Sequence, residues 1–144
     1  MYLTITKIRV RYAETDQMGF VYYGNYASYF EVARTEMMRG LGVSYKEMET
    51  KGCMMPMVEM SIRYLKPARY DDVLRIVTML HKMPNTRMTF QYEIYNDDTD
   101  QLLNVGETTL AFINSITYKP MRAPQWFLEL VDDKAREMNV LLEK

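Results

Sequence analysis

The stretch ETDQMGFVYYGNYASYFEVARTEMMRGLG (residues 14–42) changes character partway along, and that change sets the fold. It opens as a loop, with Asp16 between Thr15 and Gln17, two glycines (Gly19, Gly24) and the tyrosines Tyr22 and Tyr23. From Asn25 to Leu41 the period becomes helical. Tyr26, Tyr29, Phe30, Ala33, Met37 and Leu41 fall at i, i+3, i+4, i+7, i+11 and i+15, one continuous apolar stripe. Ser28, Glu31, Glu36 and Arg39 avoid that stripe, and Gly42 stops the helix. Such a helix needs an apolar surface to cover, and the flanking sequence supplies one.

Upstream, residues 3–12 read as a strand, with Ile8, Val10 and Tyr12 on one face and Lys7, Arg9 and Arg11 on the other. Downstream, Ser44 with Glu47 three residues on has the spacing of a capping box for a short helix ending at Gly52. Four strands are predicted over 57–65, 72–82, 86–96 and 102–117, the second apolar on both faces and the last bent or bulged near Gly106. The turns between them carry their breakers in KPARYDD, MPNT and NDDTD. A final amphipathic helix over 125–139 follows Pro124, with Phe127, Leu130, Val131 and Met138 inward. Consecutive strands joined by short turns imply an antiparallel sheet, so the class is α+β, with one long helix on a five-stranded sheet. One helix cannot seal five strands and their edges, so self-association is expected.

The 144 residues suit a single domain spanning 1–144. Neither repeat nor linker divides the chain. A formal net charge of −1 and no basic tract argue against nucleic acid or a membrane surface as partner. Cys53 is the only cysteine, so no internal disulfide forms, and with no signal-like N-terminus the expected location is cytoplasmic. Met54, Met55, Met57 and Met60, part of an unusual total of 14 methionines, read first as adaptable core packing and second as a compliant acyl pocket.

The chemistry is bounded by what is missing. His81 is the only histidine, and no GxSxG elbow, metal-ligand spacing, GxGxxG or P-loop is present, so no cofactor and no metal are expected. What remains is Asp16. It is either a turn aspartate bonded to its own backbone or a carboxylate aimed at a substrate near the free N–H groups of the following helix. A carboxylate beside an oxyanion site is a small catalytic kit. It suits a thioester, because a thiolate whose conjugate acid has a pKa of about 8.5 departs with little acid assistance.

The segment VRYAETDQMGFVYYGNYASYFEVARTE (10–36) resembles the opening of acyl-CoA thioesterases of the 4-hydroxybenzoyl-CoA thioesterase type, which have the hotdog fold. The pattern R-x-x-x-T-D-x-x-G followed by an aromatic turn and helix falls on Arg11, Thr15, Asp16, Gly19, Tyr23, Asn25, Tyr26, Phe30, Glu31, Ala33 and Arg34. RYLKPARYDDVL (63–74), FQYEIYN (90–96), GETTLAFIN (106–114) and KPMRAP (119–124) extend the resemblance over nearly the whole chain. It implies a five-stranded antiparallel sheet wrapped around a long helix. It also implies a homodimer joined edge to edge, or a dimer-of-dimers tetramer, and a small-molecule acyl-CoA substrate. The family's catalytic aspartate falls on Asp16 and its oxyanion donor, a backbone N–H, on Tyr23, with Asn25 and Tyr26 shaping the helix start. Where the family often has an acid, this chain has Asn114. The His-Glu and Asp-His pairs of hotdog dehydratases are missing too.

Glu59 and Tyr64 are further candidates for lining a pocket. Lys66, Arg69, Arg87, Lys119 and Arg122 read individually as surface charges and as a set could hold CoA phosphates. The competing functions are a non-catalytic acyl-thioester binding protein and a thioesterase acting on acyl-carrier protein.

Overall fold

Strict alternation organises the computed structural model, which describes residues 1–144. The elements are β1 (Tyr2–Arg9), a 3-10 turn (Tyr12–Glu14), α1 (Asn25–Gly40), α2 (Tyr45–Thr50), β2 (Cys53–Met54), β3 (Met57–Tyr64), β4 (Val73–Leu80), β5 (Arg87–Asn96), β6 (Leu102–Ala111), β7 (Ile113–Asn114) and α3 (Gln125–Glu137). Five strands form one sheet in the order β1-β4-β5-β6-β3, every neighbouring pair antiparallel, and β2 pairs with β7 apart from it. On β4, Leu74, Ile76, Thr78 and Leu80 are buried under α1, while Val73, Arg75, Val77 and Met79 face outward and are only half covered. Both faces are apolar, as expected, yet the chain covers one.

All six stripe residues of α1 are buried, at 4% exposure or less, and Met38 and Arg34 join them. The helix is 16 residues long, about 24 Å, an ordinary length rather than the long one expected. Gly42, at φ +99°, takes the chain out of it. Phe30 of α1 stacks on Tyr92 of β5 at 4.3 Å and 15°. Gly106 of β6 lies beneath that ring, where an added Cβ would come within 2.4 Å of it. The glycine therefore makes room for the helix and does not bend the strand. β6 runs through it in register, and the irregular pairings fall between Ile94 and Tyr95 and between Met57 and Glu59.

Three other boundaries shift for local reasons. β1 ends at Arg9 and Tyr12 swings out, 77% exposed, because the Arg11 N–H is drawn to the Glu14 carboxylate at 2.8 Å. β6 ends at Ala111. Phe112 is buried, and Asn114 turns the chain by accepting the Ile116 and Thr117 N–H groups at 2.9 and 3.0 Å. α3 buries Phe127, Val131 and Ala135, leaving Met138 52% exposed just past its end. Ser44 caps α2 by accepting the Glu47 N–H at 3.1 Å, but the Glu47 carboxylate takes the Ser44 hydroxyl instead of its N–H.

β3 is an open edge on which every residue except Ile62 is exposed. Met57 and Met60 lie there, 39% and 42% exposed, so these methionines are not core. No helix is long and apolar enough to cross a membrane.

Candidate functional site

The loop between β1 and α1 folds back on itself and then docks on the segment after β3. Asp16 N–H bonds the Phe20 carbonyl at 2.8 Å, and Gly19, at φ +79°, closes the turn. Val21 N–H then bonds the Ala68 carbonyl at 2.8 Å. Between loop and segment lies a pocket of about 350 Å³ lined by Asp16, Met18, Phe20, Val21, Tyr23, Tyr26, Tyr64, Leu65, Lys66 and Pro67. It is mainly apolar and aromatic, with one carboxylate and one ammonium, the usual make-up of a small-molecule site.

Oδ1 of Asp16 accepts the N–H groups of Met18 (2.9 Å) and Phe20 (3.3 Å), an Asx turn that fixes the carboxylate's orientation. Both bonds use Oδ1, which leaves Oδ2 without a partner in the chain. α1 begins with Gly24 as N-cap, a residue with no side chain to satisfy the first turn. Just ahead of the helix, the N–H groups of Tyr23 and Gly24 have no acceptor in the chain, whereas their neighbours Tyr22 and Asn25 do. Asp16 and Tyr23, one with a free carboxylate oxygen and the other with an unpartnered main-chain donor, thus line the same pocket, and such a pair of groups can act on a carbonyl.

Glu14 holds this arrangement, and the sequence reading missed it. Its carbonyl accepts the Asn25 side-chain amide (2.8 Å) and the Tyr22 N–H (2.9 Å). Its carboxylate accepts the Arg11 N–H (2.8 Å) and the Tyr29 hydroxyl (3.1 Å). The signal available was an acid three residues after Arg11 and immediately before the loop. Tyr64 ties β3 to the helix start by donating to the Tyr23 carbonyl at 3.1 Å, and its ring meets that of Tyr26 edge-on at 5.4 Å. Burial raises the pKa of both phenols, so they stay protonated at neutral pH.

Of the residues singled out from sequence, Asp16, Tyr23, Tyr26, Tyr64 and Lys66 meet at the pocket, and Asn25 braces it from behind. Arg69 lies next to it, its guanidinium 4.8 Å from the centre of the Phe20 ring. Glu59 and Arg87 are not brought there within one chain. Glu59 lies five residues before Tyr64 on β3, hence on the opposite face of the sheet. Arg87 opens β5 opposite Ala111, at the far end of the sheet. Lys119 and Arg122 both follow the turn after β7. Cys53 is fully buried and burial raises its thiol pKa, which makes it a poor nucleophile. No group of three His, Cys, Asp or Glu side chains is placed to hold a metal ion.

Residues 10–131 match the thioesterase-like superfamily. The acyl-CoA thioester hydrolase YbgC of Escherichia coli O6:H1 is 33% identical over 118 residues, 82% of this chain and 87% of that protein. The crystal structure of a DHNA-CoA thioesterase from Staphylococcus aureus superposes with a TM-score of 0.85 at 35% identity over 99% of both chains. A hypothetical protein from Thermus thermophilus, TT1821, follows at 0.83 and 30% identity, covering 92% of this chain and 97% of its own. With its sheet, its single covering helix and these similarities, the chain belongs to the thioesterase-like superfamily, in the hotdog fold.

Proposed function

We propose that this protein is an acyl-CoA thioesterase, hydrolysing a small acyl- or aryl-CoA to the free acid and CoA, with residues 1–144 acting as one domain. The observation that carries this reading is the pocket lined by both Asp16 and Tyr23, whose main-chain N–H has no acceptor in the chain. In the proposed mechanism the thioester carbonyl oxygen sits on the Tyr23 N–H, at the positive end of α1. Asp16 Oδ2 either attacks the carbonyl carbon, forming a mixed anhydride that water then opens, or removes a proton from an attacking water. In both routes the C–S bond breaks and the CoA thiolate leaves. The aromatic lining favours a short or aromatic acyl group. Lys66 and Arg69 are proposed to meet the CoA phosphates, with Arg87, Lys119 and Arg122 adding cations across a subunit boundary and Glu59 lining the pocket from there. That assembly is proposed as a homodimer joined along the open β3 edges, pairing again into a tetramer. The free Cys53 thiol fits a cytoplasmic location.

The Asx turn favours a second reading, a non-catalytic acyl-thioester binding protein in which Asp16 only shapes its loop. Asp16→Asn separates the two, because the amide oxygen can keep both N–H bonds while charge and basicity are lost. A thioesterase should lose kcat by roughly 10²–10⁴-fold with little change in stability. Thiol release from a panel of acyl-CoAs measures this, and a folded variant as active as the parent removes Asp16 from the mechanism. Solvent ¹⁸O in the Asp16 carboxylate after one turnover would mark the nucleophilic route.

A further inference from the structure

Arg34 is a buried cation with no counterpart. It is 8% exposed, and Nε and Nη1 are sealed from solvent without a hydrogen-bond partner. The ion pairs of the chain all lie elsewhere. The Tyr45 hydroxyl is likewise buried and unpartnered. Burial raises the pKa of Tyr45 and Tyr92, and Arg34 pulls each partway back, both by its charge and by its N–H groups approaching the hydroxyls, so its guanidinium stands beside both phenols. Tyr92 is already engaged with the Thr108 hydroxyl at 2.6 Å, whereas the Tyr45 O–H has no acceptor, because arginine can only donate to it. A pocket of about 260 Å³ opens onto Arg34 and Tyr45, with Thr35, Met55 and Leu110 in its walls. It shares no residue with the Asp16 pocket, and Arg34 lies about 12 Å along α1 from Tyr26, eight residues on.

Buried charges in folded proteins are paired or hold an ion of opposite sign. A guanidinium offers donors and no acceptor, and the hydroxyl beside it adds an O–H donor, a combination that matches a carboxylate. Glu31 and Glu49 also line the pocket, both exposed and therefore hydrated and screened. They disfavour a multiply charged anion such as phosphate while leaving the desolvated guanidinium to a single charge. Met55 and Leu110 give the rest of the ligand an apolar wall to lie against.

We propose that this pocket binds a small monocarboxylate with an apolar body, its carboxylate taking N–H bonds from Arg34 and the O–H bond of Tyr45. The site is independent of the Asp16 chemistry, although the acid released by thioester hydrolysis belongs to the same chemical class.

The probes are benzoate and hexanoate, with benzamide and hexanamide as neutral counterparts, titrated into the full chain by calorimetry and thermal shift. The carboxylates should bind and raise Tm while the amides do neither. Arg34→Met keeps an apolar side chain and removes the donors. It should weaken carboxylate binding by about 10- to 100-fold, the range for hydrogen bonds to a charged group. Without ligand, the same variant should melt above the parent, since the unpaired buried charge is gone, an effect that a merely structural arginine would not give. Tyr45→Phe should weaken binding less than Arg34→Met does. The Arg34 Nε–H resonance of the wild-type protein gives an answer that needs no variant: it should shift on benzoate addition. A resonance that stays put, amides that bind as well as acids, or an Arg34→Met protein that binds benzoate like the parent would each overturn the proposal.

Discussion

Glu14→Ala tests whether the site loop is held as the geometry says. The Glu14 carboxylate receives the Tyr29 hydroxyl at 3.1 Å, and Tyr29 is only 2% exposed, so the substitution leaves a buried phenol without its acceptor. A hydrogen bond to a charged group contributes about 1.5–3 kcal/mol. The Arg11 N–H bond at 2.8 Å lies nearer solvent and adds about 0.5–1 kcal/mol. The Arg11 guanidinium contact, 3.4 Å with that side chain 79% exposed, is given no weight. The loss is therefore about 2–4 kcal/mol. At about 2.1 cal/mol/K of unfolding entropy per residue, a chain of 144 residues should lose roughly 7–13 °C in Tm. Scanning calorimetry at pH 7 and fixed protein concentration measures it. Tyr29→Phe should cost less, because it strands no buried hydroxyl, and Glu14→Gln should fall between. If Glu14→Ala melts within 2 °C of the parent while Tyr29→Phe is clearly destabilised, Glu14 is not what holds the loop.

Gly106→Ala should destabilise by about 1–3 kcal/mol, since the new methyl meets the buried Phe30 ring, and Phe30→Leu should recover part of it in denaturant midpoints. Burial raises the pKa of Tyr26, Tyr29, Tyr45 and Tyr92, so the folded state holds these phenolic protons more tightly than the unfolded chain. Stability should be complete below the unfolded value of about 10 and fall as pH rises above it. Urea midpoints that stay flat to pH 11 would contradict this, and Tyr45→Phe should reduce the slope. Val58→Lys, at a position 46% exposed on the β3 edge, should leave the fold intact and shift sedimentation toward monomer.

The α1 stripe was legible because its six positions follow one period and all point into the same core. Pattern does not reveal what a residue stands next to. Gly106 reads as a bend from the local chain, yet its reason is a ring arriving from a helix more than seventy residues earlier. The methionines of β3 read as core because composition cannot tell an edge strand from a central one. Asp16 and Tyr64 were visible as candidates, but their meeting depends on the docking of Val21 on Ala68, a bond between distant loops. Glu14 and Arg34 look like two more charges on a charged chain. Only burial and the presence or absence of partners set them apart.

The strand order also has a consequence in time. β4, β5 and β6 form a meander whose contacts close over short loops, but Tyr2 pairs with Leu80 and Met57 with Leu110. Those two pairings cost far more loop-closure entropy, so the meander is expected to form early and the two outer strands to join late. Asp16 hangs from β1 and Tyr64 ends β3, which makes the Asp16 pocket one of the last features to assemble. Until β3 joins, the β6 edge is unpaired, and a folding chain held at that stage is the species most exposed to aggregation.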